Sequence, residues 1–130
     1  KKIHGSRAVI DIAELSIEAG KIYTLTGPNG AGKTSLLKIL AFLDKPTTGQ
    51  IDFLNRPAVY SKKDLLHLRR RIVLLDQSPI MFSGSVLKNI EFGLKVRKIP
   101  KKERTIRVDQ VLELVGMIHF KNYDICKWVD

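Results

Sequence analysis

The sequence is poor both in the groups that staple small secreted proteins and in those that anchor membrane proteins. Cysteine occurs once, at Cys126. No intrachain disulfide can form, and an inert thiol in a reducing compartment is the expected reading. No apolar stretch approaches the roughly 20 residues that a bilayer-spanning helix needs. No signal-peptide pattern opens the chain, which starts at Lys1 rather than at methionine, as a fragment or a processed chain would. Carboxylates are scarce as well, 13 against 23 Lys and Arg, for a net charge of +10. Much of that excess sits in Lys95, Arg97, Lys98, Lys101, Lys102, Arg104 and Arg107, with only Glu103 among them. No aromatic residue interrupts the run, so the stacking platforms that single-strand binders use are missing. A solvated loop and helix face accounts for it as well as a binding surface does, and nucleic acid is not the expected partner.

What is present is the composition of one folded domain. A chain of 130 residues with 44% hydrophobic content is long enough to bury a core, and it contains no internal repeat or low-complexity segment. Its strongest local pattern is Gly27-Pro28-Asn29-Gly30-Ala31-Gly32-Lys33-Thr34, a full match to the spacing G-x-x-x-x-G-K-[ST]. Small residues at Gly27, Gly30, Ala31 and Gly32 let the backbone curl so that its N–H groups face a polyanion. Lys33 adds a point charge for the outer phosphates, and the Thr34 hydroxyl is a candidate magnesium ligand. The flanks fit. Lys21 to Thr26 is a β-rich run expected to form a buried strand. Leu36, Ile39, Leu40 and Leu43 recur at helical spacing, so the loop is expected to open onto a helix N-terminus whose dipole favours anions.

Elsewhere the patterns are coarser. Strands are expected over Ala8 to Ile12, Leu15 to Ile17, Gln50 to Leu54 and Arg71 to Leu75, with turns at Gly20 and across Asp44 to Gly49. Ser61, with Asp64 three positions on, has the spacing of a capping box for a helix carrying Leu65, Leu66 and Leu68. A further helix is expected from Ser83 or Ser85 to Phe92, closed by Gly93. A last one starts at Pro100, places Ile106, Val108, Val111, Leu112 and Val115 largely on one face, and stops at Gly116.

Together these residues resemble the nucleotide-binding domain of ABC transporters over about the first 125 positions. The loop has the Gly-Pro-Asn-Gly-Ala-Gly-Lys form typical of that family, and Pro46 to Ile51 is similar to its P-x-x-G-x-I turn. Arg71 to Gln77 resembles the strand that ends in the family's Q-loop glutamine, and Ser85 to Ile90 resembles its T-V-x-x-N-I helix start. Gly84 to Arg97 looks most like importers of oxyanions such as tungstate, molybdate or phosphate. The fold class implied is an α/β P-loop NTPase of ABC type with an N-terminal antiparallel β subdomain, partial, with the C-terminal half of the core absent. The expected divisions are 1–76 for the β subdomain and loop core, 77–93 for the Q-loop and coupling segment, 94–125 for part of the helical subdomain, and 126–130 for a divergent tail.

Carried over position by position, the resemblance implies ATP and Mg²⁺ as ligands. Lys33 and the amides of Asn29, Gly30, Ala31, Gly32 and Thr34 would hold the β- and γ-phosphates, with Gly27 opening the turn. Thr34 would ligate Mg²⁺, Ser35 would reach the α-phosphate, and Gln77 would act on Mg²⁺ or the attacking water. Without the resemblance, Gln77 is a polar residue in a loop. His4 stands where the family usually has an aromatic residue stacked on adenine; imidazole is a smaller platform, and a surface histidine at a frayed terminus is the competing reading. Ser78 to Phe92 would form the groove for a transporter's coupling helix, or else Pro79, Ile80, Met81 and Phe82 pack under the small helical subdomain. The implied partners are transmembrane permease subunits and a second nucleotide-binding domain, on the cytoplasmic, inner face of the cell membrane.

The same resemblance marks what is missing. Its L-S-G-G-Q signature should begin within a few residues of Asp124, where the chain reads Ile125-Cys126-Lys127-Trp128-Val129-Asp130. Its Asp-Glu strand and switch histidine do not occur. The expectation is an ATP-binding subunit of a transporter, interrupted before hydrolysis is complete, with uncovered sheet edges that leave it marginally stable or self-associating. The alternative is a non-hydrolysing remnant or regulatory module that keeps the cradle and engages a partner through Met81 and Phe82.

Overall fold

A computed structural model describes residues 1–128. Val129 and Asp130, the end of the tail expected from position 126, lie outside the described residues. The chain divides into two compact units, Lys1–Asp76 and Gln77–Asp130.

The first unit opens with a hairpin of β1 (Lys2–His4) and β2 (Arg7–Ile10), antiparallel, with His4 opposite Arg7 across the Gly5-Ser6 turn. β1 was not expected as a strand. It forms because the N-terminus is tied to the Pro46 to Gly49 turn: the Lys1 carbonyl accepts from the amides of Thr47 and Thr48 at 2.8 and 3.2 Å, and Ile3 N–H donates to Thr47 Oγ1 at 3.0 Å. Lys2 is buried, and its ammonium donates to Asp44 Oδ1 at 2.6 Å and to the Lys45 carbonyl at 3.0 Å. That hydrogen bond is the main reason the Asp44 carboxyl is held below the usual carboxylate range.

Helix α1 (Lys33–Leu40) follows the glycine-rich loop and packs on β2. It ends with Phe42 in the left-handed region at φ 57°. Phe42 N–H reaches the Ile39 carbonyl and Leu43 N–H the Lys38 carbonyl, the pair of bonds that closes a Schellman turn. The strain of a bulky residue there is offset by burial, since Phe42 is 1% exposed and meets Phe53 and Tyr60 edge-on. Strands β3 (Asp52–Phe53) and β4 (Arg56–Pro57) make a second hairpin, turned by Leu54 and Asn55 at φ 52° and 60°, the geometry of a type I′ turn. In α2 (Lys62–Arg69) Ser61 caps the helix as expected, Asp64 N–H donating to Ser61 Oγ at 3.2 Å, but the box is not completed: the Asp64 carboxylate accepts from the Ser61 hydroxyl instead of from its backbone N–H.

Three expected strands do not form. Leu15 to Ile17, Lys21 to Thr26 and Arg71 to Leu75 have no ladder partner among the described residues, and Ile22, Val73 and Leu75 are 99%, 85% and 82% exposed. Apolar β-branched runs of this kind become strands through hydrogen bonds to neighbours on both edges, and their propensity cannot substitute for the neighbours.

The second unit is a helical hairpin of α3 (Val86–Val96) and α4 (Lys101–Leu114) around Val86, Val108, Leu112 and Ile125. The segment after α4 returns to the start of α3, where the carbonyls of Tyr123 and Lys121 accept from the amides of Val86 and Leu87 at 3.0 and 2.9 Å. These first-turn amides have no acceptor inside their own helix, so the returning chain serves as a cap. Two expectations are corrected. Helix α3 runs through Gly93, because Leu94 packs against the core and the helix gains by continuing. On α4 only Val108 and Leu112 are buried, while Ile106, Val111 and Val115 are 51%, 47% and 57% exposed. A seam at i and i+4 is enough where one helix and one returning strand of chain cover it.

Arg104 Nε meets Glu91 Oε1 at 2.7 Å between the two helices, and Arg104 also donates to the Ile99 carbonyl at 2.7 Å. The Arg104 hydrogen bond is the leading cause that holds the Glu91 carboxyl low, with the charges of Arg104, Lys95 and Lys101 adding to it against desolvation.

Replacing Leu112 by Ala is expected to destabilise the second unit by about 2–5 kcal/mol in denaturant unfolding, whereas the same change at exposed Leu114 stays within about 0.5 kcal/mol. A depressed Glu91 pKa means that its contribution is present above the ordinary glutamate value of 4.5 and is lost as the pH falls through the folded value. Helix content followed by circular dichroism should therefore fall at acid pH with a steeper limb in the wild type than in Glu91→Gln.

Candidate nucleotide site

The glycine-rich loop from Gly27 to Thr34 is closed by two kinds of hydrogen bond. Ala31 N–H reaches the Pro28 carbonyl at 3.3 Å, a tight turn inside the loop. The Lys33 ammonium folds back over the loop and donates to the carbonyls of Gly27 at 2.6 Å and Pro28 at 2.7 Å. An ammonium carries three donors, so one N–H remains for a ligand while the other two brace the loop. Bracing consumes carbonyls and leaves amides. The N–H groups of Lys33, Thr34 and Ser35 lie in the first turn of α1, where no intrahelical carbonyl can reach them. No acidic side chain occupies that turn. The loop therefore presents unused donors and a positive helix end with no carboxylate of its own to compete.

Gly32 shows why the loop lies where it does. It caps α1 in the left-handed region, φ 88°, and a Cβ added there would sit 2.6 Å from the Val9 carbonyl and 3.4 Å from Val9 and Ile10 side-chain carbons. Only a residue without Cβ lets the loop rest on β2. Between β2 and α1 lies a hollow of about 240 Å³ whose lining includes Val9, Ile10, Thr26, Gly32 and Lys33. A larger one, about 500 Å³, is lined by the β3–β4 hairpin and α2, including Phe53, Arg56, His67 and Arg71, and contains no loop residue. Donor geometry, rather than size, singles out the phosphate loop.

The remaining expected residues fall as follows. Asn29 and Ala31 are exposed on the loop, Thr34 is exposed, and Ser35 is half-buried on α1; neither hydroxyl makes a hydrogen bond among the described residues. His4 is exposed in the same unit, at the turn end of the β1–β2 hairpin, held in a ladder instead of fraying. Gln77 is exposed and opens the other unit. Reasoning from the sequence did not find the part played by Asn89. Its side-chain oxygen accepts from Phe82 N–H at 2.7 Å and its amide donates to the Phe82 carbonyl at 2.8 Å, pinning both backbone groups of one residue. The signal was an Asn four positions after a Ser helix cap, on the side of the helix that faces the preceding loop. Phe82 then lies against Phe92 at a ring-centroid distance of 4.5 Å, while Ile80 is 86% exposed.

Comparison with known proteins agrees with this geometry. Residues 10–127 match the family model described as ABC transporter. The chain belongs to the ABC transporter family. It is 36% identical over 116 residues to a methionine import ATP-binding protein MetN of Geobacillus kaustophilus, covering 88% of this chain and 34% of that protein. It is 39% identical over 122 residues to the Fe(3+) ions import ATP-binding protein FbpC of Pasteurella multocida, covering 93% of this chain and 34% of that protein. The solved structure of CbiO1 from Clostridium perfringens, part of the ABC transporter complex CbiONQ, superposes with a TM-score of 0.67 at 37% identity, covering 75% of this chain and 40% of that one. The ABC-type fold expected from the loop and its flanks is the fold observed, and the chain spans about a third of the length of the curated relatives it matches. No helix among the described residues is long and apolar enough to cross a membrane.

Gly32→Ala places a methyl group against a backbone carbonyl in a conformation that L residues avoid, so the loop must lift from β2. The variant is expected to lose about 1–3 kcal/mol of stability in thermal or denaturant melts. Gly20→Ala, at φ 73° with nothing within 4 Å of its Cβ, has only the backbone strain and is expected to cost less.

Proposed function

We propose that this chain carries the Mg-ATP cradle of the ATP-binding subunit of an ABC importer. The observation that carries the reading is Lys33 braced on the Gly27 and Pro28 carbonyls, with only the Ala31 amide of the loop spent on a bond inside it. In this reading the free N–H of Lys33 and the amides of Asn29, Gly30, Gly32 and Thr34 hold the β- and γ-phosphates, and Ser35 reaches the α-phosphate; the Ala31 amide, expected among them, is engaged by the Pro28 carbonyl. The Thr34 hydroxyl, exposed on the first turn of α1, would supply one oxygen ligand to a bound Mg²⁺. When bound, that ion neutralises charge on the phosphates. Gln77 would add its amide oxygen to the metal or the attacking water, and His4 would offer an imidazole face to the base. Orienting and deprotonating water for hydrolysis needs further groups, so turnover is not proposed for this chain alone.

The partners proposed are permease subunits and a second nucleotide-binding domain, which places the protein at the inner face of the cell membrane. Ile80 and Met81, exposed on a loop that Asn89 holds in one shape, support the coupling segment as a docking surface over the reading in which they pack inward. The cargo is recognised by other subunits in this family. Relatives of similar identity are named for methionine and for Fe(3+), and they lend no support to the oxyanion expectation drawn from Gly84 to Arg97.

Titration calorimetry with ATP and Mg²⁺ tests the cradle. Lys33→Ala should weaken binding about tenfold to a hundredfold, the value of one charge-assisted contact. Gln77→Ala should leave ATP affinity within about twofold. Equal affinity of the wild type and Lys33→Ala would overturn the reading.

A further inference from the structure

The second unit carries a set of cations that form no ion pair among the described residues. Arg104 is engaged by Glu91, Arg107 by Glu103 and Lys121 by Asp109. Lys95, Arg97, Lys98, Lys101 and Lys102 are exposed and have no carboxylate within ion-pair distance among the described residues. All five belong to one corner: the last turn of α3, the Arg97 to Pro100 connection and the first turn of α4. Lys95, in the last turn of α3, and Lys101, in the first turn of α4, are separated only by the short connection, which brings the cations of the two helix ends together. Lys101 and Lys102 also stand at the positive end of the α4 dipole, where cations are disfavoured.

Lys98 sharpens the point. Both helices of the hairpin end in a Schellman turn, which asks for a left-handed residue just past the cap. At the end of α4 that residue is Gly116, φ 69°, with Met117 N–H bonded to the Leu112 carbonyl and Gly116 N–H to the Glu113 carbonyl. At the end of α3 the same two bonds run from Ile99 to Leu94 and from Lys98 to Lys95, and the left-handed residue is Lys98, φ 59°. Where Phe42 takes that conformation after α1, its ring is buried in return. The Lys98 side chain is exposed and gains no partner, so nothing inside the unit offsets its strain. A lysine thus stands where the turn favours glycine, exposed among cations without ion pairs and two residues from exposed Val96.

From this corner we infer a docking surface for the anionic headgroups of a lipid membrane, contacted by Lys95, Arg97, Lys98, Lys101 and Lys102. Four of the five are lysines, which meet phosphates as mobile point charges without fixed geometry, and the adjoining apolar residue is aliphatic. Between Lys95 and Arg107 no aromatic residue stands among the cations as a platform for bases. The inference goes beyond the nucleotide reading and does not require it.

Flotation of the whole chain with vesicles rich in phosphatidylglycerol tests it. Binding is expected to phosphatidylglycerol vesicles, weakening as salt rises, and not to vesicles of phosphatidylcholine alone. The triple variant Lys95→Gln, Lys98→Gln, Lys101→Gln should bind about a hundredfold less, and Lys98→Gly about fivefold less, at roughly a kilocalorie per charge. Lys98→Gly should at the same time melt at a higher temperature, which separates loss of the contact from loss of the fold. Lys62→Gln with Lys63→Gln removes two exposed charges from the other unit and should change nothing. Equal loss in the Lys62, Lys63 control, undiminished binding by the triple variant, or tighter binding to a labelled oligonucleotide that the triple variant abolishes would overturn the proposal.

Discussion

A phosphate loop must hold a strained, amide-rich curve without filling it, and here one ammonium meets that demand. Lys33 takes the carbonyls of Gly27 and Pro28 as its acceptors, so the oxygens that would repel an anion are turned toward the lysine, and of the loop's N–H groups only that of Ala31 is spent on the loop itself. The brace works only because the loop is seated. Gly32 rests against the Val9 carbonyl at a distance no side chain would allow, and it also sets the left-handed turn from which α1 starts. Local chemistry, helix end and strand contact are thus one constraint, and the first unit is organised around it. β2 supplies the floor, β1 holds β2 in register, and the buried Lys2 with Asp44 ties β1 to the turn after α1.

The second unit solves a different problem, a small helical hairpin with little apolar area. Its core rests on Val108 and Leu112 from α4 and Val86 from α3, and the returning segment up to Ile125 both covers them and caps α3. Polar groups then do the shaping. Asn89 holds Phe82 by both backbone groups, presenting the exposed tip in one conformation, and Arg104 with Glu91 sets the spacing of the two helices. Side-chain amides and ion pairs of this kind add modest stability but specify geometry.

Particular residues show how far the sequence could be read. The eight positions from Gly27 to Thr34 and the helix cap at Ser61 were legible because their chemistry is local: a pattern of small residues, a lysine, a hydroxyl three places from a carboxylate. The expected strands at Lys21 to Thr26 and Arg71 to Leu75 were read from propensity, and propensity describes what a segment suits, not whether a neighbour is there to pair with it. Gly93 illustrates the opposite error. Read locally it stops a helix, yet the next residue, Leu94, reaches the core and carries α3 onward.

By itself, then, the sequence determined the phosphate loop, its lysine and the caps that punctuate α2 and α4, since each depends on groups a few residues apart. Only the tertiary structure decided that Lys33 braces its own loop, that Val9 is the surface Gly32 must fit, that Asn89 holds Phe82, and that Lys98 stands left-handed amid unpaired cations. Those facts depend on distances between segments and on the backbone angle at one residue, and neither is encoded in spacing along the chain.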